Sequence, residues 1–205
     1  MLTLYVYAAA REGEPWASDP RTLGLGVGKV AATMTLTERM LADRPEAVVL
    51  FGVAGAYPRG PEVGEVCLVT ADWLADEGVI TPGGFLALED LSLGERGPYV
   101  ADMMLTDVLD ARLGRGLRRV VGATVSTCSG TDRRADERMA ACPGVAVETM
   151  EGAAVGAVCA AFGVPWAQLR VISNRTGNRD LAGWDLEGAL SRLHEAMDWL
   201  LPPAS

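Results

Sequence analysis

This sequence predicts a three-layer α/β/α fold built on a mostly parallel, twisted mixed sheet, and three observations carry that expectation. Strand-like runs alternate with helical ones along the chain. The runs "AVVLFG" and "RVVGATVS" are continuously apolar, as in strands covered on both faces. Of the 205 residues, 49% are hydrophobic and 22% charged, which supplies one large core, and no tract reads as an interdomain linker. A single domain over 1–205 is expected.

In chain order, the opening "MLTLYVYAAAREGE" has no basic segment and its apolar run ends by Ala10, so Leu2–Ala8 reads as a buried first strand rather than a leader. The glycines of "GLGVGKVAATMTL" turn the chain into a helix over Lys29–Ala42. A strand over Ala47–Gly52 precedes the turn "AYPRGPEVG", and a strand over Gly64–Thr70 precedes the surface excursion that starts at "DEGVITPGGF". A helix over Ala101–Leu113 leads to a strand over Val120–Ser126 and a helix over Asp132–Ala141. The last elements are a strand over Val145–Val147, a helix over Glu151–Phe162, a strand over Trp166–Ser173 and a helix over Leu186–Leu200.

Charge and rare residues exclude several functions. A net charge of −9 argues against nucleic acid or an anionic membrane surface as partner, since both need clustered Lys and Arg. No run approaches the roughly 18–20 apolar residues of a membrane span. The four cysteines, Cys67, Cys128, Cys142 and Cys159, include no C-x-x-C pair, and His194 is the only histidine. No metal site and no other cofactor are expected, and the cysteine usage suits a reducing cytoplasm.

Two nucleotide motifs fail on inspection. A phosphate-binding loop ending at Gly28-Lys29 would need glycine at Leu23 and a hydroxyl at Val30. A dinucleotide fingerprint starting at Gly24 and Gly26 meets Lys29 where its third glycine belongs. His194, in "SRLHEAMDWLL", reads as a surface or packing residue. Acid–base work therefore falls to carboxylates, amides or water.

Ligands of such sheets sit beyond the carboxyl ends of the strands. Those ends carry "AAAREGE", "FGVAGAYP", "STCSGTDRR" and "RVISNRTGNRD". Gly52 and Gly55 are placed for close approach of backbone to a ligand. Glu151 heads a stretch that is otherwise small or apolar as far as Gly163; a helix N-terminus tolerates its charge, at about 0.3–1 kcal/mol, without explaining its surroundings. Arg170, inside an apolar strand, wants a carboxylate partner. Glu12 follows the first strand, with Glu14 a second candidate ranked below it.

These segments together resemble the nucleoside phosphorylase/nucleosidase family. Its pattern is met, in order, by Ala8 to Glu12, "GVGKV" (Gly26–Val30), "GVAG" (Gly52–Gly55), "VETMEGAA" (Val147–Ala154) and "RVISN" (Arg170–Asn174). The chain is similar to the methylthioadenosine/S-adenosylhomocysteine nucleosidase branch, and more so to the futalosine hydrolase branch through "VSTCSGTD", "ETMEGAA" and "ISNRTGNRD".

The resemblance implies hydrolysis of a purine N-ribosidic bond, with no cofactor. It implies that Glu12 orients and deprotonates water and that Glu151 accepts the ribose 2′-hydroxyl. Met150 would pack on the sugar, Arg170 would hold a carboxylate, and Ala54 and Gly55 would line the water side. Gly130, Thr131 and Ser173 complete the expected site.

Asn174 replaces the aspartate of adenine-cleaving relatives. Its amide both donates and accepts, which favours a 6-oxopurine such as hypoxanthine. Futalosine is thus the expected substrate, in menaquinone biosynthesis. The alternatives are a methylthioadenosine/S-adenosylhomocysteine or aminodeoxyfutalosine nucleosidase, a phosphorylase and a non-catalytic nucleoside sensor. Arg11, Arg133, Arg134 and Arg179 are candidates for the substrate's benzoate tail. The resemblance also implies a homodimer or higher homo-oligomer in which the 81–91 segment lines that pocket.

Overall fold

The computed structural model describes residues 3–178 and 180–202, so Leu2 and the tail candidate Arg179 lie outside the described residues. Ten strands carry the fold. In order they are β1 (Thr3–Tyr7), β2 (Thr22–Gly24), β3 (Ala47–Ala56), β4 (Val66–Leu74), β5 (Gly78–Thr81), β6 (Gly84–Ala87), β7 (Tyr99–Val100), β8 (Arg118–Thr124), β9 (Val145–Thr149) and β10 (Trp166–Arg175). The helices are α1 (Ala10–Gly13), α2 (Lys29–Ala42), α3 (Met103–Arg112), α4 (Asp132–Ala141), α5 (Gly152–Phe162) and α6 (Leu186–Leu200).

Alternation along the strands builds two cores. On β1, Leu4 and Val6 face α2 and α5, while Tyr5 and Tyr7 face α6. On β3, Val48 and Leu50 join the first side, and Val49 and Phe51 the second. Helices thus cover both faces of a mixed sheet, as the sequence predicts. Five of its pairings are parallel (β1 with β2 and β3, β10 with β3, β4 with β8, β8 with β9). Three are antiparallel (β10–β4, β3–β9 and β4–β7).

Strand β3 changes partner along one edge: β1 pairs with Ala47–Leu50, and β9 with Gly55 and Ala56. Its other edge is lined throughout by β10. The strands β3, β10, β4, β8 and β9 therefore close into a ring, with β1 and β2 extending from it.

Several boundaries differ from expectation. Strand β3 runs past Gly52, its expected end, and takes in Gly55, because β10 pairs with the strand as far as Ala56. Strands β4, β9 and β10 also run further than predicted, to Leu74, Thr149 and Arg175. Helix α3 begins at Met103 because the Asp102 side chain accepts from the Leu105 N–H and caps it. The surface excursion contains the hairpin β5–β6.

Candidate active site

Strand β3 displays the site along its length. At Val53 its N–H donates to Glu12 Oε1 at 2.9 Å, and its carbonyl accepts from Arg170 Nη1 at 3.3 Å. The other Glu12 oxygen accepts from the N–H groups of Ala8 (3.1 Å) and Ala9 (2.9 Å). Glu12 is therefore a buried carboxylate fixed by three backbone donors from β3 and the β1–α1 junction, while Glu14 is exposed. Gly52 makes the arrangement possible: a Cβ there would lie 2.5 Å from both Arg170 Nη1 and Glu12 Oε1.

Glu151 approaches from the opposite side. It is the residue before α5, yet its side chain does not cap that helix. Its Oε1 accepts instead from the N–H of Gly28, at 2.8 Å, at the start of α2. Gly28 adopts φ 95°, a region that favours glycine, so the turn expected at this point also presents a donor to the site. Glu151 Oε2 stands 3.9 Å from Arg170 Nη2.

Burial raises the Glu151 carboxyl above the usual range; Arg170 and the Gly28 N–H pull it back, and the Glu12 charge adds to the rise. Arg170 is 1% exposed, and its Nε and Nη2 make no hydrogen bond. The carboxylate partner that the sequence called for is Glu151, with Glu12 Oε1 close by across Gly52.

Asn174 sits further along the same ladder, where β10 pairs Arg170 with Gly52 and Asn174 with Gly55. Three residues of β3 separate these points, about 10 Å at ~3.3 Å per residue. The Asn174 Oδ1 accepts from Ser173 Oγ (2.8 Å), and Nδ2 donates to the Arg175 carbonyl (3.0 Å). One N–H and one lone pair remain for a ligand.

Asn174, Gly55, Ser129, Gly130, Glu148 and Trp184 line a cavity of about 150 Å³, on the order of a space that takes one aromatic ring. Ser129 is fixed there by Glu148, which accepts from its N–H at 2.7 Å and from Tyr57 Oη at 2.7 Å.

Other expected site residues are placed less directly. Ala54 is buried, and its carbonyl lies 3.3 Å from Ser173 Oγ. Met150 is half-buried beside Glu151. Thr131 caps α4, accepting from the Arg134 N–H, and does not line the cavity. His194 packs edge-on against Trp16 and is within 3.1 Å of the Arg11 carbonyl. Among the tail candidates, Arg11 pairs with Glu187, and Arg133 and Arg134 pair with Glu137.

The sequence reading missed two contributors. Gly28 lies in a matching motif and a turn, and neither signals its N–H as a donor to Glu151. Trp184 stands ten residues past Asn174 in a polar stretch, where an isolated indole is the available signal. Among the described residues, no group of three or more His, Cys, Asp or Glu is arranged to hold a metal, and no helix is long and apolar enough to cross a membrane.

Residues 14–199 match the model of the phosphorylase superfamily. The chain is 42% identical over 204 residues to a futalosine hydrolase of Thermus thermophilus, covering 93% of this chain and 88% of that one. Its fold matches the methylthioadenosine/S-adenosylhomocysteine nucleosidase of Neisseria meningitidis in complex with methylthio-immucillin-A, with TM-score 0.82, 18% identity and full coverage of both chains. It matches native futalosine hydrolase of Helicobacter pylori with TM-score 0.78 and 17% identity, over 98% of this chain and 97% of that one. The two buried carboxylates beside Arg170 and the amide further along β3 thus stand on a fold shared with these proteins, and the chain belongs to the phosphorylase superfamily and, within it, to the futalosine hydrolases.

Proposed function

We propose that the protein hydrolyses the N-ribosidic bond of futalosine, releasing hypoxanthine and dehypoxanthine futalosine, as a cytoplasmic enzyme of menaquinone biosynthesis. The observation that carries this reading is the placement of two buried carboxylates, Glu151 paired with Arg170 and Glu12 held by the Val53 N–H, at one end of a stretch of β3, with Asn174 about 10 Å away at the other. That spacing suits a nucleoside lying along the strand, ribose over Gly52 and Val53, base over Gly55. The 42% identity to a futalosine hydrolase over most of both chains supports the same substrate.

Loss of the purine leaves positive charge on the ribose, and each group has work suited to that. Glu12, its lone pairs directed by three N–H donors, orients water and takes its proton, a contribution typically of ~10²–10⁴-fold. Glu151 accepts from the 2′-hydroxyl, with Met150 against the sugar. Arg170 keeps Glu151 in place, and its charge beside the two acids limits their mutual repulsion. Asn174 donates to O6 and accepts from a protonated N7, and Trp184 offers its face to the base.

Phosphorolysis would bring an anion up to two carboxylates, which disfavours it. A nucleoside sensor would have no need of two buried acids. The exposed Val30, Met34 and Leu41 on one face of α2 support assembly with further copies of the chain.

The test is incubation with futalosine and chromatography for hypoxanthine, with the 6-amino analogue and methylthioadenosine alongside. Expected is release from futalosine at a rate indifferent to added phosphate, abolished to below about 1% in Glu151→Gln. Faster cleavage of the adenine compounds, or a phosphate requirement, would overturn the assignment.

A further inference from the structure

Below the first turn of α5 lies an acid for which the hydrolytic scheme has no use. Asp72, on β4, is fully buried. Its Oδ1 accepts from Thr124 Oγ at 2.8 Å, and its Oδ2 has no hydrogen-bond partner. A Cβ at Gly152, the residue after Glu151, would collide with Oδ2, and one at Gly122 would lie 2.5 Å from it. The glycine that follows Glu151 is thus the space in which the carboxylate sits.

The chain of bonds continues upward. A residue in the position of Glu151 ordinarily turns its side chain back to satisfy the free N–H groups of its own helix. Here that task has passed to two threonines on neighbouring strands. Thr124 Oγ accepts from the Ala153 N–H at 2.7 Å, and Thr149 Oγ stands 3.4 Å from the Gly152 N–H. Because Thr124 gives its only proton to Asp72, its lone pairs must face the helix. Glu151 is thereby released to reach Gly28 and Arg170.

We propose that Asp72 is a positioning residue for Glu151: through Thr124 it holds the first turn of α5 and so fixes where that carboxylate stands. The inference rests on the role given to Glu151 above. The groups facing Asp72 are Arg170 and Gln168 on β10, Glu151, Thr124 on β8 and, more remotely, Cys142. Burial raises the Asp72 carboxyl to about 7, against the lowering effects of Thr124, Arg170 and Gln168, with Glu151 adding to the rise. Gln168, whose side-chain atoms make no other bond, can serve either state. Its carbonyl accepts from a protonated Oδ2, and its rotated amide donates to an ionised one. The acid beneath the helix therefore gains charge near neutrality, and its effect on Glu151 is pH-dependent.

The test uses the full-length protein with futalosine as probe. In Thr124→Val, kcat should fall about 10–100-fold with KM changed less than about 3-fold, because a group that acts in the transition state is displaced while the substrate surface remains. Thr124→Ser, which keeps the hydroxyl, should restore kcat. Asp72→Asn keeps an acceptor for Thr124 and removes the charge; its kcat–pH curve should lose the inflection that the wild type shows between roughly pH 6 and 8.

Hydrogen exchange at the Ala153 amide, measured without substrate, should quicken at least about 10-fold in Thr124→Val and recover in Thr124→Ser. A Thr124→Val enzyme with wild-type kcat, equal losses in the valine and serine variants, or an Asp72→Asn curve superimposable on the wild type would each overturn the proposal. Failure of the wild type to cleave futalosine, with the exchange pattern intact, would instead count against the assigned reaction.

Discussion

Gly52→Ala tests whether the two acids act as a unit. The added carbon would lie 2.5 Å from Arg170 Nη1 and from Glu12 Oε1, and 2.9 Å from Glu12 Cδ. Favourable contact begins near ~3.5 Å, so each group must retreat by about 1 Å. Gly52 lies in an ordinary strand ladder, so alanine introduces no backbone strain. The obstructed atoms are side-chain ends, which lets the fold yield at about 1–3 kcal/mol. For a chain of this size that is roughly 2–12 °C of Tm.

Catalysis should suffer more. A displacement of 1 Å costs on the order of 10²-fold, about 2.7 kcal/mol. The assay is initial hypoxanthine release at low futalosine, giving kcat/KM, beside thermal unfolding of the same preparation. Gly55→Ala is the comparison, since its Cβ would meet Asn174 Nδ2 and Thr176 Cγ2 at an easier 3.2 Å. Expected is a loss near 100-fold at Gly52 and under about 10-fold at Gly55. A Gly52→Ala enzyme that unfolds several degrees early yet keeps kcat/KM within about 3-fold would refute the reasoning.

Three further outcomes are expected. Asn174→Asp should shift kcat/KM toward 6-aminopurine nucleosides, measured as the ratio for futalosine and its amino analogue. Trp184→Ala should raise KM for futalosine by about 5–160-fold, the worth of one base–aromatic stack at ~1–3 kcal/mol, with kcat less affected; an unchanged KM would remove the indole from the base site. The third outcome concerns stability. The folded protein holds the Asp72 proton up to about 7, whereas an unfolded aspartate releases it near ~3.9. Its contribution is thus present in acid and fades as pH rises across that window. Urea titrations should show Asp72→Asn gaining on the wild type from about pH 4 to pH 7, by at most on the order of 4 kcal/mol. Asp76 pulls the other way: burial opposes, but Lys29 and the Ser126 N–H hold its carboxyl low. Only the difference between variant and wild type isolates Asp72.

Much of the layout was legible because it rests on runs long enough to show a period. The apolar strands and the helices Lys29–Ala42, Asp132–Ala141 and Leu186–Leu200 appear where the pattern puts them. What escaped had no local signature. Strand β3 continues through "GVAGA" only because β10 and β9 supply partners on both edges. The short strands β2 and β7, at three and two residues, are defined by their neighbours alone.

The site was visible in part for the same reason. Glu12, Glu151, Arg170 and Asn174 stand out as polar residues among apolar or strand-end ones. The backbone donor of Gly28 has no side chain to advertise it. Thr131 lay in a matching motif, yet its hydroxyl is taken up by a helix end. Asp72 lies beyond the predicted strand end at Thr70, whereas β4 runs on to Leu74 and buries it.

The change of neighbour along β3 has an evolutionary implication. Its first half is braced by β1, which delivers Glu12, and its second by β9, whose Glu148 steadies the ring-sized cavity around Asn174. On the proposed reading, the machinery that breaks the bond and the surface that recognises the departing base hang from different supports. A lineage could then retune its choice of aglycone near Gly55 while the sugar end, ten ångströms or so away, stays undisturbed.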